Sequence, residues 1–289
     1  MLLTGGLLGL LYVVFALVLI QFLGPGQFWL GLVIVGGMAL FQYFTSAKLA
    51  LLASGAKVVE RDEAPALHDM VERLCAMSDL PKPKIAVIDT DVPNAFATGR
   101  NPKNSAVAVT TGLWHTLEPR EVEGVIAHEL SHIANRDVLV MTLASFFAML
   151  AGLLMRWGLI FGGGGRDRNG PPIWLIVFLV SVVTYIVSFV LIRTISRYRE
   201  YAADRGAALI TGAPEHLMSA LQKIAGQMTA IPKRDLREVE SMNAFFIIPT
   251  NPHFSAGAAL SELFSTHPPL EKRLANLSRV AREMGNVVQ

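Results

Sequence analysis

The sequence is short of cysteine and of charge, and each shortage narrows what the chain can be. There is one cysteine, Cys75, among 289 residues. A single thiol can neither close an internal disulfide nor build a thiolate-rich zinc ribbon, so any metal site must draw on histidine and carboxylate. Charged residues make up 17% of the chain, while 52% are hydrophobic and the mean hydropathy is +0.45. Soluble globular chains carry about a quarter charged residues. The balance points to contact with a lipid bilayer and away from an ordinary soluble enzyme. Basic side chains outnumber acidic ones by only 25 to 23, and they form no stripe, so no nucleic-acid partner is expected. The glycine run Gly162–Gly165 lacks the Gly-Lys-Ser/Thr of a phosphate loop and reads as a flexible connector.

Charge is also missing from one long stretch, Leu2 to Ala47. Gly24, Pro25 and Gly26 break it into two segments, Leu7–Leu23 and Phe28 to about Leu52, each near the ~20 residues that cross a hydrocarbon core. Met1–Gly6 has no basic side chain, which argues against a cleaved signal peptide. Val138–Met155 and Ile173–Ile192 are two further apolar runs, giving four expected spans. Lys57, Arg61, Arg120, Arg136, Arg193, Arg197 and Arg199 fall on one side of such a layout, and Arg156, Arg166 and Arg168 on the other. The bias places both termini and the polar segments in the cytoplasm.

The expected organisation is a membrane hairpin over 1–54, a first polar part over 55–137, a second hairpin over 138–192 and a second polar part over 193–289, the two polar parts forming one domain. Its class is α+β, mainly helical with a small sheet. The spacing of Leu67, Met70, Val71, Leu74 and Met77 predicts an amphipathic helix over Pro65–Met77. Ile85–Ile88 and Ala106–Val109 read as strands, with Asn94–Thr98 a further extended edge between them. Pro119 opens a helix expected to run on toward span three, and further helices are expected at Pro214–Met228 and Pro269–Met284. Ile231–Ser265 has no period and is expected to be a mobile loop.

His128, Glu129, Leu130, Ser131 and His132 spell H-E-x-x-H on the Pro119 helix. Residues four apart share a helical face, so both imidazoles can reach one ion with the glutamate beside it. This is the geometry of a zinc hydrolase: two His, a third protein ligand, and a position left for a water that Glu129 can deprotonate. No histidine follows in the next turns, so the third ligand must come from elsewhere. Glu200 is the best candidate, since the second hairpin returns the chain to the same membrane face. Asp204, on the same face as Glu200, would accept the free ring N–H of a ligand histidine. The competing reading pairs Glu200 and Asp204 with Arg197, Arg199 or Arg205. His68, His115, His216 and His253 have no partner pattern and are expected to face solvent.

Taken together, His128–His132, Arg199–Asp204, Asn94–Gly99 and Thr266–Pro269 resemble the HtpX family of membrane-bound zinc proteases, whose relatives include the CAAX prenyl proteases. The likeness covers nearly the whole chain. It implies a gluzincin fold, one Zn²⁺ per chain held by His128, His132 and Glu200, and Glu129 as the base. It also implies that His267 hydrogen-bonds the oxyanion, and that the substrates are misfolded membrane proteins cleaved for quality control at the bacterial inner membrane. Asn94, Ala95, Phe96, Ala97 and Thr98 are candidates for binding an extended substrate by strand addition. Two alternatives stand beside this reading. An intramembrane protease is disfavoured by Glu118, Arg120, Glu121, Glu123, Arg136 and Asp137 around the motif, because charge at the bilayer midplane is costly. A non-catalytic zinc-binding scaffold is disfavoured by three expected ligands where structural sites use four.

Overall fold

A computed structural model describes residues 2–23, 25–161, 173–230, 247 and 267–285. The expected connector at Gly162–Gly165 therefore lies outside the described residues, as does Ile231–Ser265 apart from Ile247. In chain order the elements are α1 (Leu2–Leu23), α2 (Pro25–Ala53), β1 (Lys57–Val58), α3 (Pro65–Met77), β2 (Lys84–Ile88), β3 (Ala95–Asn101), β4 (Asn104–Thr110), α4 (Thr111–Thr116), α5 (Pro119–Ala134), α6 (Asp137–Phe161), α7 (Ile173–Thr211), α8 (Pro214–Ala230) and α9 (Leu270–Glu283). They divide into two compact units, Met1–Phe44 with Val140–Ser196, and Thr45–Leu139 with Arg197–Gln289.

The first unit turns its apolar side chains outward. Among the described residues four helices are long and apolar enough to cross a membrane, over Leu3–Gln21, Phe28–Ala53, Asp137–Arg156 and Trp174–Thr211. Leu10, Val33 and Phe41 are more than 60% exposed, as expected where lipid rather than water is the solvent. Inside, Phe15, Leu19, Phe28, Val35, Leu150, Ala151 and Val177 pack together. The Tyr12 hydroxyl donates to the Ala144 carbonyl at 2.6 Å, satisfying a buried polar group.

The second unit is built the opposite way, around an apolar core. Its four-stranded sheet has the order β1-β2-β4-β3. β2 and β4 run parallel, β3 is antiparallel to β4, and β3 forms one edge. Leu67, Val71, Leu74, Val107, Leu113, Val125, Ile126, Leu130, Leu217 and Leu221 belong to one core cluster. Burying a Leu such as Leu130 contributes about 2 kcal/mol. The start of α5 is fixed locally and from outside. Pro119 stands in its first turn, where its fixed φ suits a helix. The Glu118 amide donates to Glu121 Oε2 at 2.8 Å, and Ser219 Oγ and Lys223 Nζ from α8 reach the same carboxylate at 2.6 and 2.8 Å. A Cβ on Gly124 would lie 2.9 Å from the Leu217 amide nitrogen, so glycine sets the approach of α5 to α8.

Two expectations are corrected here. The Pro119 helix does not run on: α5 ends at Ala134 and α6 begins at Asp137. Arg136 adopts φ +54 between them, a left-handed residue of the kind that terminates helices, and its amide turns back to the Ile133 carbonyl at 3.1 Å. His68 is buried rather than solvent-facing. Its Nε2 meets the Val59 carbonyl at 3.1 Å and its Nδ1 meets Lys82 Nζ at 2.9 Å, so a neutral ring is satisfied on both sides. His115 is exposed and His216 half-buried, while His253 lies outside the described residues.

Candidate metal centre

Helical periodicity brings the site together within the second unit. On α5, His128 and His132 share a face, their ring centroids 4.7 Å apart. On α7, Glu200, Ala203, Asp204, Ala207 and Ala208 are buried at helical spacing, with alanine keeping that face low. A Cβ on Gly206 would lie 2.4 Å from Ser131 Oγ, so that glycine lets α7 lie directly against α5. The two acidic residues of α7 are thereby set beside the two imidazoles of α5.

The ligand atoms of His128, His132 and Glu200 all lie within 4.8 Å of one another. His128 Nε2 and His132 Nε2 are 3.2 Å apart. Glu200 Oε2 is 3.7 Å from the first and Oε1 is 3.6 Å from the second. Each ring is anchored through its other nitrogen: His128 Nδ1 to Asp204 Oδ1 at 3.0 Å, and His132 Nδ1 to Asp137 Oδ2 at 2.5 Å. Those carboxylates fix the Nδ1–H tautomer and direct both Nε2 lone pairs to the common point. Two lone pairs and a carboxylate converging in a buried place call for a cation, and the N, N, O donor set suits catalytic zinc. The electrostatics agree. Burial lowers the affinity of His128 for a proton, but its bonds to Asp204 and Glu200 outweigh burial and push the imidazole up to about 9, so a proton is drawn in when no metal is present.

Two guanidinium groups complete the anchoring, and sequence reasoning missed both this use of Arg199 and Arg273 altogether. Arg273 Nε and Nη2 bind Asp204 at 3.0 and 2.6 Å, and its Nη1 donates to the Ile247 carbonyl at 2.9 Å. Burial lowers the Arg273 proton affinity, and the charge of Asp204 more than restores it. Arg199 Nε lies 3.0 Å from Asp137 Oδ2. The alternative pairing of Arg199 or Arg205 with Glu200 or Asp204 is not what forms, since Arg205 binds Glu283. Arg273 had a legible signal. It shares the buried stripe of α9 with Leu277, Val280 and Ala281, and a lone cation in an apolar stripe asks for a buried partner.

His267 and the Asn94–Thr98 strand also come to the site. His267 Nδ1 is 3.2 Å from Glu200 Oε2. Thr110 N donates to the Asn94 carbonyl at 3.0 Å, so by alternation Asn94, Phe96 and Thr98 face β4 with their main chain, and Ala95, Ala97 and Gly99 turn theirs away from it. The Ala97 amide donates to Glu129 Oε2 at 2.7 Å, which holds that carboxylate beside the histidines. Phe96, Ala97 and Thr98 line the cleft with His128, Glu129 and Glu200. Asn94 is buried, and its side-chain oxygen accepts from the Ile247 amide at 3.1 Å.

The comparisons with known proteins bear directly on this arrangement. The model of Peptidase family M48 matches residues 61–281. The chain belongs to that family. It is 51% identical over 286 residues to Protease HtpX homolog 2 of Methanosarcina mazei, covering 98% of this chain and 95% of that protein. It is 52% identical over 289 residues to the Protease HtpX homolog of Moorella thermoacetica, covering 98% and 94%. The crystal structure of S. mikatae Ste24p is similar in fold, with a TM-score of 0.56 at 21% identity, spanning 93% of this chain and 62% of that one. The M48 chain is thus a membrane zinc metallopeptidase of the HtpX group with a His-His-Glu metal site and, among the described residues, four helices long and apolar enough to cross a membrane.

Proposed function

We propose that this M48 peptidase is an endopeptidase that cleaves misfolded or damaged membrane proteins for quality control, with its catalytic unit at the cytoplasmic membrane surface. The observation that carries the reading is the meeting, in one cleft, of the His128–His132–Glu200 cluster, the Glu129 carboxylate and the edge strand β3. An edge strand accepts any extended chain through its main-chain groups, and extended chain is what an unfolded substrate offers. In this reading Ala95, Gly99 and the Ala97 carbonyl pair with the substrate while the Ala97 amide stays on Glu129, and Phe96 and Thr98 support the edge from the β4 side. Asn94 acts on the edge through Ile247.

Zinc, when bound by His128, His132 and Glu200, supplies Lewis acidity that activates a water and polarises the scissile carbonyl. The chain's own groups do the rest. Glu129, held by the Ala97 amide, takes the proton of the attacking water and passes it to the leaving amine. His267, beside Glu200, donates a hydrogen bond to the anionic oxygen that develops on the substrate. Asp204 and Asp137 keep the ligand rings in the Nδ1–H tautomer. The orientation rests on the Lys/Arg bias. The matched relatives include Methanosarcina, so the proposed setting is a cellular membrane and not a specifically bacterial one.

The test offers purified, zinc-loaded protein in detergent three substrates: an unfolded membrane protein, the same protein folded, and unfolded casein. Cleavage of both unfolded substrates, outside hydrophobic segments, is expected. Cleavage confined to sites within spans would favour the intramembrane alternative. Cleavage of the folded membrane protein at an equal rate would contradict a quality-control role.

A further inference from the structure

The cleft beside β3 carries charges that the reaction does not use. Three arginines, Arg100, Arg136 and Arg199, line it together with three carboxylates, Glu129, Asp137 and Glu200. All three carboxylates are occupied: Glu129 by the Ala97 amide, Asp137 by His132 and Arg199, and Glu200 by the imidazoles. Arg199 is likewise held by Asp137, and Arg100 has an interaction of its own. Arg136 is exposed, and its side chain makes no hydrogen bond or ion pair among the described residues.

The backbone adds a second observation. Arg136 sits just past the end of α5 with φ +54, at the position that helices ordinarily give to glycine or asparagine. A long cation is held in a left-handed conformation that glycine would adopt without strain, and that cation lines the cleft. Along β3, Arg100 follows Ala97 by three residues, and Ala97 is the residue that meets Glu129.

We infer that Arg100 and Arg136 form a cationic subsite that selects an acidic side chain of the substrate, about three residues from the scissile bond. The inference rests on reading β3 as the edge to which substrate adds. A guanidinium pair is matched to a carboxylate through charge-assisted, often bidentate hydrogen bonds, and an extended chain on β3 would carry a side chain past both arginines. The metal and Glu129 determine that a peptide bond is cut, and the arginine subsite biases which one.

The test uses the full-length, zinc-loaded Glu129→Gln protein in neutral detergent, so that binding is read without turnover. Two labelled decapeptides differ only in Glu or Gln at the third residue on either side of a central apolar pair. The Glu peptide is expected to bind about tenfold more tightly by anisotropy, a preference worth ~1.4 kcal/mol. High salt should shrink the preference, and adding Arg100→Gln with Arg136→Gly should abolish it. Arg136→Gly alone should melt no lower than its parent, because it relieves the left-handed arginine. Equal binding of the two peptides, or a preference that survives both substitutions, would overturn the proposal. So would a lower melting temperature with unchanged preference, which would make Arg136 a helix-end cation only. Loss of binding to anionic lipid vesicles without any peptide preference would assign the arginines to the membrane and also overturn it. The parent protein with Glu129 intact is run on the same peptides: tight binding without cleavage would fault the catalytic reading alone, and equal cleavage with equal binding would fault the subsite alone.

Discussion

The two halves of the metal centre are chemically alike and physically different. On one side His128 leans on Asp204 and Asp204 on Arg273; on the other His132 leans on Asp137 and Asp137 on Arg199. Each is an imidazole–carboxylate–guanidinium relay that turns a ring nitrogen toward the same point. The first is sealed, its side chains between 0% and 2% exposed, whereas His132 and Arg199 are each 15% exposed. In the sealed half every charge depends on its partner, because water cannot replace one that is removed. In the open half water reaches the imidazole and the guanidinium at its two ends. The sealed relay therefore belongs to the fold as much as to the chemistry.

That contrast can be broken by removing one guanidinium at a time. Arg273→Met strands the Asp204 carboxylate in the core and should lower stability by about 3–5 kcal/mol in detergent unfolding experiments. Arg199→Met should cost about 1 kcal/mol, since Arg199 is itself partly exposed and Asp137 keeps its bond to His132. Equal costs would show that exposure is not what separates the halves.

Removing the carboxylate charges sharpens the contrast in metal binding. Asp204→Asn and Asp137→Asn should each weaken zinc binding about 10–100-fold in chelator competition, with the larger loss at Asp204. A variant with unchanged affinity would show that its aspartate does not orient its histidine.

The sealed half should also respond to pH when zinc is stripped. His128 is pushed up to about 9 in the folded protein, above the ordinary 6.5 of an unfolded imidazole. A raised value means that the folded state holds its proton more tightly. The stabilisation is fully present below the unfolded value and is lost as pH rises through the folded one. The melting temperature of the metal-free protein should therefore fall between pH 6.5 and about 9. The zinc-loaded protein, whose His128 carries metal in place of that proton, should show no such fall. The smallest effect concerns a buried group outside both relays. Burial pushes the Cys75 thiol up to about 11, so it should resist maleimide at neutral pH until the protein unfolds.

The ligand set was legible because its residues are four apart on helices, where a fixed period turns spacing into shared faces. The pairs His128–His132 and Glu200–Asp204 follow from that rule, Glu129 from its place inside the first pair, and the expectation that the pairs meet from the returning hairpin. Asp137 was not legible, because it stands beyond the left-handed turn at Arg136 and helical counting stops there. The role of Arg273 depends on α9 packing against α7, a tertiary event that spacing does not encode, although its place in an apolar stripe marked it as unusual. The four spans were read from the length of apolar runs, a signal that needs no tertiary information. Strand β1 has two residues and α4 six, too short for any period to declare itself.

The most direct measurement sets the parent protein beside Glu129→Gln, with zinc content and casein digestion read on the same samples. With a metal held by His128, His132 and Glu200 and Glu129 acting only on protons, both proteins should hold one zinc per chain. Digestion should fall by about 10²–10⁴-fold in the variant. Undiminished digestion, or a variant that no longer binds zinc, would contradict the assignment.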